Sequence, residues 1–394
     1  MKICIFSEAY PPKIGGVSEV VYNLAKYLRK NNVDVDVVTC GTDREEHVIR
    51  ISKTTRSFFP KSLFSFNKIL RNKKYDVIHF HANSMLGVFP LLLFFKKRYP
   101  KIMFTFHSPD LRATRCIKPI RANELIFRPR LREYFEKYIK FPYRMIAGFV
   151  SSRIADKTTC VSNATKTDCI HDFCIRNGKD VSVVYNGADI KKFNPNKSSK
   201  DVREKLKIPK NPIILYLGVF RIIKRVHLLM YAMTFIVKKH PNVVLLIVGG
   251  GRGYEKELHD LRDKFNLQKN MIFIRYPKKE HIPKIYNAAD IVVLPSSCEG
   301  CSITLLEAMS SGKPVIASDI SGMSELVEHG KNGLLFEKDN VKQLVENVLF
   351  LLENKKLRQT MGKNSRCKVE QKFDWDIIAK AYEKEYEKLI AEKQ

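Results

Sequence analysis

Two glutamates eight residues apart, Glu299 and Glu307, carry the strongest chemical signal in the chain. They frame the run Glu299-Gly300-Cys301-Ser302-Ile303-Thr304-Leu305-Leu306-Glu307-Ala308-Met309. Glu299 follows the apolar residues 291–294 across a Pro-Ser-Ser loop, and Glu307 falls inside the next helical stretch. Gly300 allows the backbone to approach a ligand closely. The first N–H groups of that helix, at Ser302, Ile303 and Thr304, lack partners within the helix and suit a diphosphate. Glu307, about one turn in, could accept from ribose hydroxyls, and Glu299 could reach a sugar. By themselves, two glutamates at this spacing also fit ordinary decoration of a helix start.

The cationic complement lies earlier, in Leu217-Gly218-Val219-Phe220-Arg221-Ile222-Ile223-Lys224-Arg225-Val226. Arg221 and Lys224 directly follow a predicted strand, where fixed cations can neutralise a departing diphosphate. Arginine does so through a bidentate fork and lysine as a point charge. A basic helix start is opposed by the helix dipole, which favours a ligand role over decoration. Arg225 is expected to face solvent.

Two glycine loops and a histidine group complete the candidates. Gly15-Gly16 sits between the first strand and first helix, and Gly249-Gly250-Gly251 occupies an equivalent place later. Either could bring backbone close to a phosphate or a base, and either could be only a tight turn. Neither is GxGxxG or a Walker loop, so no nicotinamide cofactor is indicated. His79 and His81 end one predicted strand and His107 follows another. A lone histidine at a strand end is commonly structural, but three at one sheet edge favour a ligand-lining role for His81 and His107. No pair has zincin spacing and no DxD follows a strand of the second half. Asp34-Val35-Asp36 lies within a predicted strand, so no metal is expected.

These residues need strands to hold them, and the hydrophobic pattern supplies strands. Apolar segments at 2–6, 33–38, 77–80, 102–106, 157–161 and 181–184 alternate with amphipathic helical stretches. The second half repeats the pattern at 213–217, 243–248, 271–275, 291–294 and 314–317. Such alternation predicts α/β architecture with parallel sheets covered on both faces. The turn-rich stretch 186–200 reads as a hinge between two doubly wound, Rossmann-like domains. The boundaries are 1–190 and 200–372, with a last helix over 373–394. Ligands of such sheets sit at the carboxyl ends of strands. Two facing domains would leave a cleft there, and the candidate residues fall on that side.

Composition narrows the setting. Of the 394 residues, 44% are hydrophobic, which suits a globular core. Nine cysteines, an odd number scattered along the chain, argue against a disulfide framework or structural zinc and for a reduced, cytoplasmic setting. Nothing resembles a signal peptide. The longest apolar run, 85–95, is too short to cross a bilayer and reads as a buried helix. The net charge is +29, and residues 51–150 hold 21 Lys+Arg against 5 Asp+Glu. That excess suits an anionic partner such as membrane lipid or a phosphate-bearing substrate, or else a solvated basic surface. Residues 56–66 interleave aromatics with cations and are the better membrane segment. The stripe Leu131, Tyr134, Phe135, Tyr138, Pro142, Met145, Ile146 and Phe149 is expected to pack on the sheet. No nucleic-acid motif is present.

Taken in order, the motifs resemble glycosyltransferase family four, retaining enzymes of GT-B fold. The resemblance spans nearly the whole chain, from Gly15-Gly16 through His107, Asn186-Gly187-Ala188-Asp189, Arg221 with Lys224, Gly249–Gly251 and the paired glutamates to Gly312-Lys313-Pro314 and Phe373–Trp375. It implies transfer of a sugar from a nucleotide-diphosphate donor, with UDP preferred over GDP, to a lipid-linked, phosphorylated or glycan acceptor. It implies no cofactor and no metal. Glu307 would bind the ribose and Glu299 the sugar. Arg221 and Lys224 would grip the diphosphate, helped by amides at Gly16, Ser302 and Ile303. His107 would lie by the reacting carbon, and the last helix would cross back onto the first domain. Two departures stand out: Val219 follows Gly218 where many members carry arginine, and Cys301 replaces the commoner Phe or Leu. The other reactions weighed are nucleotide-sugar epimerisation, which needs no acceptor, and nucleic-acid binding.

Overall fold

The computed structural model describes residues 1–392 except 14, 82–83, 108–115, 119, 123–124, 128, 174–180, 209 and 252. At 56, 120–122, 125–127, 132, 136, 140, 141, 143 and 144 the backbone alone is described. The chain divides into two compact units. Unit 1 comprises Met1–Leu111, Tyr138–Gly187 and Trp375–Gln394; unit 2 comprises Arg112–Lys137 and Ala188–Asp374. The stretch 112–137, which the sequence reading left in the N-terminal half, is thus part of unit 2.

Unit 1 is built on β1 (Lys2–Phe6), β2 (Asp34–Cys40), β3 (Val48–Ser52), β4 (Val77–His81) and β5 (Lys101–Phe106), with two later strands. A small hairpin, β6 (Ile120–Ala122) and β7 (Leu125–Phe127), intervenes and lies in unit 2. β8 (Lys157–Cys160) and β9 (Val181–Val183) then complete a seven-stranded sheet of order β3-β2-β1-β4-β5-β8-β9. All its pairings are parallel. The strands are covered on both faces, which is why β1 reads as an unbroken apolar run. Phe6 meets Phe66 and Phe80 at ring separations of 5.3 and 5.2 Å in its core.

Unit 2 carries β10 (Ile213–Val219), β11 (Val244–Gly250), β12 (Met271–Arg275), β13 (Ile291–Leu294), β14 (Val315–Asp319) and β15 (Gly333–Glu337). They form a parallel sheet of order β12-β11-β10-β13-β14-β15. Both sheets reverse direction of winding beside their first strand, at β1/β4 and at β10/β13. Such switch points leave a crevice outside the carboxyl ends of the strands, where ligands bind. Close backbone approach shapes the ends of β10 and β11 next to the unit 2 switch point. A Cβ on Gly249 would stand 1.9 Å from the Gly218 carbonyl oxygen, so the two strand ends come together only with glycine there.

The last helix, Trp375–Ala391, belongs to unit 1. Trp375 is buried and its ring lies 6.4 Å from that of Tyr27. Lys30 pairs with Asp376 at 2.5 Å, Asn31 donates to Glu383 at 2.6 Å, and Tyr386 reaches His79 at 2.7 Å. Gly187 is packed against the same indole.

Several local expectations are corrected. β3, β15 and the β6–β7 hairpin were not foreseen; β3 is a half-buried edge strand whose alternation is weak. The apolar run 85–95 is no buried helix. It forms a 3-10 turn, Ser84–Gly87, and a helix, Phe89–Phe95, with Leu92 inside and Leu93, Phe94 and Phe95 outside. The membrane candidate 56–66 lies in the helix Thr55–Asn72, whose Phe58, Ser62 and Phe66 are buried, leaving Phe64 outward. Helical spacing sorts those aromatics onto a core face. Conversely, Leu131, Phe135, Tyr138, Ile146 and Phe149, expected to pack on the sheet, are exposed. No disulfide joins the described cysteines. Among the described residues no helix is long and apolar enough to cross a membrane.

Candidate active site

At the β10/β13 switch point the chain leaves β10, passes Phe220 and Arg221, and turns through the 3-10 segment Ile222–Lys224 into the helix Val226–Lys239. Arg225 stands at φ 55° between turn and helix. It does not face solvent: it is fully buried, with Nε 2.8 Å from Asp339 and a guanidinium nitrogen 2.8 Å from the Ile222 carbonyl. Asp339 carries the balancing charge that makes this burial tolerable. The Ile223 carbonyl accepts from the Ser297 amide at 2.8 Å and its hydroxyl at 3.0 Å, tying the turn to the loop after β13.

That tie brings the two sequence signals together. Lys224 Nζ lies 2.5 Å from Glu299 Oε1, which also accepts from Ser296 Oγ at 2.8 Å. Arg221 is half-buried at the head of the same turn. The Glu299–Gly300 backbone is pressed against Gly322, where a Cβ would stand 2.1 Å from the Glu299 carbonyl oxygen.

Gly300 and Cys301 are buried at the end of that loop. Ser302 caps the helix Ile303–Ser310, its hydroxyl accepting from Leu305 N at 3.4 Å. Ile303 opens the helix, so its positive end sits beside the Lys224–Glu299 pair along the chain. Glu307, on the second turn, accepts from Tyr286 at 3.0 Å. Tyr286 also lies 3.1 Å from the Thr304 carbonyl. Burial, then the neighbouring Glu307 charge, hold that phenol well above its ordinary range and so protonated. Gly251 lies in the loop after β11 at φ +91°, and its amide donates to Glu255 at 2.8 Å. That N–H is therefore engaged by protein.

In unit 1 the loop after β1 ends at Gly15, and Gly16 opens the helix Gly16–Lys30. The space a Gly15 side chain would take is empty to 4 Å, so a ligand can approach the helix start. The histidines form a graded series. His79 is buried between Thr105 Oγ1 at 2.6 Å and the Tyr386 hydroxyl at 2.7 Å, a structural role. His81 is also fully buried, with Nδ1 2.8 Å from His107 Nε2. It supports His107 and presents no surface of its own, and its Nε2 is buried without a hydrogen-bond partner. His107, after β5, is partly exposed. Burial lowers the His107 imidazole to about 4 and, with the His107 charge, His79 to about 3. All three rings are neutral at physiological pH, so His107 can donate or accept a hydrogen bond but carries no charge.

Near β2, Asp34, Asp36 and His47 bring three potential ligand atoms within 4.8 Å of one another. The Asp36 carboxylate is already held by Lys73 and Tyr75, both at 2.7 Å, so the group reads as a charge network. Residues that sequence reasoning missed are Tyr286 under Glu307, Ser296 and Ser297 behind Glu299, and Asp339 on Arg225. Ser296 and Ser297 stood in the recognised Pro-Ser-Ser loop, but nothing local marks the other two.

Two family models match the chain: Glycosyltransferase Family 4 over residues 14–192 and Glycosyl transferases group 1 over residues 198–368. The chain belongs to glycosyltransferase family four and is a glycosyltransferase of GT-B fold. It is 28% identical to the UDP-Gal:alpha-D-GlcNAc-diphosphoundecaprenol alpha-1,3-galactosyltransferase of Escherichia coli, over 80% of this chain and 76% of that one. Sucrose-phosphate synthase from Thermosynechococcus elongatus shares the fold with a TM-score of 0.81 at 22% identity, each chain fully covered. Anabaena HepE in complex with UDP-glucose shares it with a TM-score of 0.78 at 22% identity, over 98% of this chain and 100% of that one.

Proposed function

We propose that this glycosyltransferase transfers a hexose from a UDP-sugar with retention of anomeric configuration and without a metal ion. The observation that carries this reading is the Lys224–Glu299 pair at the β10/β13 switch point, beside the helix Ile303–Ser310. Arg221, Lys224 and the helix start are the positive groups that a departing diphosphate requires, and all come from protein. Glu307 is the ribose acceptor, Glu299 contacts the sugar, and Gly300, Cys301, Ser302 and Ile303 line the diphosphate and sugar. In unit 1 the Gly15-Gly16 loop, through the Gly16 amide, is a further candidate for the diphosphate, and His107 is the candidate for the reacting carbon and the acceptor. UDP is preferred because the galactosyltransferase relative is named for UDP-Gal and the HepE complex holds UDP-glucose. Product NMR from a panel of UDP- and GDP-sugars, run with and without EDTA, tests the reading. The expected result is a retained anomer from a UDP-sugar at undiminished rate in EDTA. An inverted anomer overturns the stereochemistry, and activity restored only by Mg²⁺ or Mn²⁺ overturns metal independence.

The acceptor is proposed to be lipid-linked, with the protein peripheral at an anionic membrane face. The galactosyltransferase relative is named for a diphosphoundecaprenol acceptor. In unit 1, exposed Leu93, Phe94 and Phe95 lead directly into Lys96, Lys97 and Arg98. The helix Phe141–Ile154 packs beside them and exposes Ile146 and Phe149, with Arg153 4.1 Å over the Phe149 ring. Apolar side chains ringed by cations suit an interface with anionic lipid, each cation contributing about 1 kcal/mol. Sedimentation with anionic vesicles at low salt is expected to carry the protein down, and high salt or neutral vesicles to release it. Equal pelleting with both lipids, or none with either, removes the membrane role.

A further inference from the structure

The chain leaves unit 1 after Leu111 and re-enters it at Tyr138, and the stretch between belongs to unit 2. Its described residues touch both loops that present the donor-site side chains. Cys116 and Ile117 share an apolar cluster with Ile222, Ile223, Leu228 and Cys298. The Cys116 thiol donates to the Ser297 carbonyl at 3.3 Å. Glu133, in the short helix Leu131–Phe135, is 3% exposed. One of its oxygens accepts from the Ile222 amide at 3.1 Å, and the other accepts from the Tyr254 hydroxyl. Tyr254 in turn accepts from the Arg130 amide at 3.1 Å. The Arg130 guanidinium lies over the Tyr254 ring and pairs with Glu257.

The turn that carries Lys224 is therefore held at three backbone groups. Arg225 takes the Ile222 carbonyl, Ser297 takes the Ile223 carbonyl, and Glu133 takes the Ile222 amide. The first two clasps come from the C-terminal half of the sequence, and Glu133 comes from the N-terminal half. A buried carboxylate is costly unless hydrogen-bonded, and here each oxygen has a partner. Through the turn, those bonds act on the ammonium that sits against Glu299.

We propose that Glu133 is a positioning residue of the donor site, whose carboxylate holds the Ile222 amide and so sets Lys224 opposite Glu299. The proposal rests on the reading of Arg221 and Lys224 as the cations that meet the diphosphate. It makes donor affinity depend on a segment inserted between two elements of unit 1.

Calorimetry with UDP and steady-state kinetics on Glu133→Ala, Glu133→Gln, Tyr254→Phe, Arg130→Ala and Lys224→Ala test it. Glu133→Ala is expected to raise the UDP Kd and the donor KM about tenfold, the loss of one hydrogen bond to a charged group. Its acceptor KM stays unchanged. Glu133→Gln, whose amide oxygen can accept the same N–H, restores UDP affinity to near the parent value. Tyr254→Phe loses part of it. Arg130→Ala loosens the same segment without touching the turn and leaves UDP affinity unchanged. Parent-like UDP affinity in Glu133→Ala, or an equal loss in Arg130→Ala, overturns the proposal. If Glu133→Ala does not fold, parent-like affinity in Tyr254→Phe overturns it. Lys224→Ala separates the two levels. Parent-like UDP affinity in that variant overturns the diphosphate reading itself, whereas a loss there with none in Glu133→Ala overturns only the positioning role.

Discussion

Replacing Lys224 or Arg221 with alanine is expected to lower turnover by about 10²–10³-fold, the effect of deleting one preorganised electrostatic contact. The argument starts from the leaving group. A nucleoside diphosphate departs with its negative charge rising as the bond to the sugar breaks. A cation fixed in advance needs no reorganisation at that moment. Lys224 is so fixed: its turn is clasped at both carbonyls and at one amide, and its ammonium rests 2.5 Å from Glu299. Removing it also leaves Glu299 held by the Ser296 hydroxyl without its cation, a carboxylate beside an incoming anion. Both consequences slow the same step. The loss should appear in kcat at saturating donor and acceptor, with the melting temperature close to the parent's, because Lys224 is partly exposed and lies outside the core. Near-normal turnover in both variants would mean that the diphosphate is held elsewhere.

Glu307→Ala is expected to weaken UDP binding by about 10–100-fold, whereas Glu299→Ala leaves it within about threefold and damages transfer instead. The two carboxylates sit in different surroundings. Glu307 lies on a helix and accepts from the Tyr286 hydroxyl. Tyr286 keeps an acceptor in the Thr304 carbonyl when Glu307 is removed, so the variant is expected to fold. What is lost is the acceptor proposed for the ribose hydroxyls, an interaction made by donor and free UDP alike. Glu299 lies in the loop and is bound to the cation of the diphosphate site. Its removal frees Lys224 for UDP while taking away a contact that only the sugar-bearing donor makes. Calorimetry with UDP beside kinetics with the intact donor reads the two effects separately. Equal weakening of UDP by both substitutions would contradict this division of roles.

The alternation of apolar strands and amphipathic helices was enough to predict two parallel α/β halves. Strands buried on both faces must be apolar throughout, and that pattern is local. It was also enough to place Arg221, Lys224 and Glu299 beyond strand ends and Glu307 inside the next helix, because a residue's position along its own element needs no neighbour to define it. The glycine loops and His107 were legible for the same reason. The pairing of Lys224 with Glu299 was not, since it follows from β10 lying beside β13, and sheet order leaves no mark on either segment. Nor was the burial of Arg225, whose basic character predicts solvent unless Asp339 is known to stand opposite it. The Met85–Phe95 run and the 131–149 stripe show the same limit from the other side. Periodicity reveals that a helix has an apolar face, but only the packing around it decides whether that face is covered. For Glu133 the partner is the Ile222 amide, a backbone group that every sequence contains. Its importance was decided entirely by the tertiary structure, because a main-chain donor has no residue type by which a sequence could announce it.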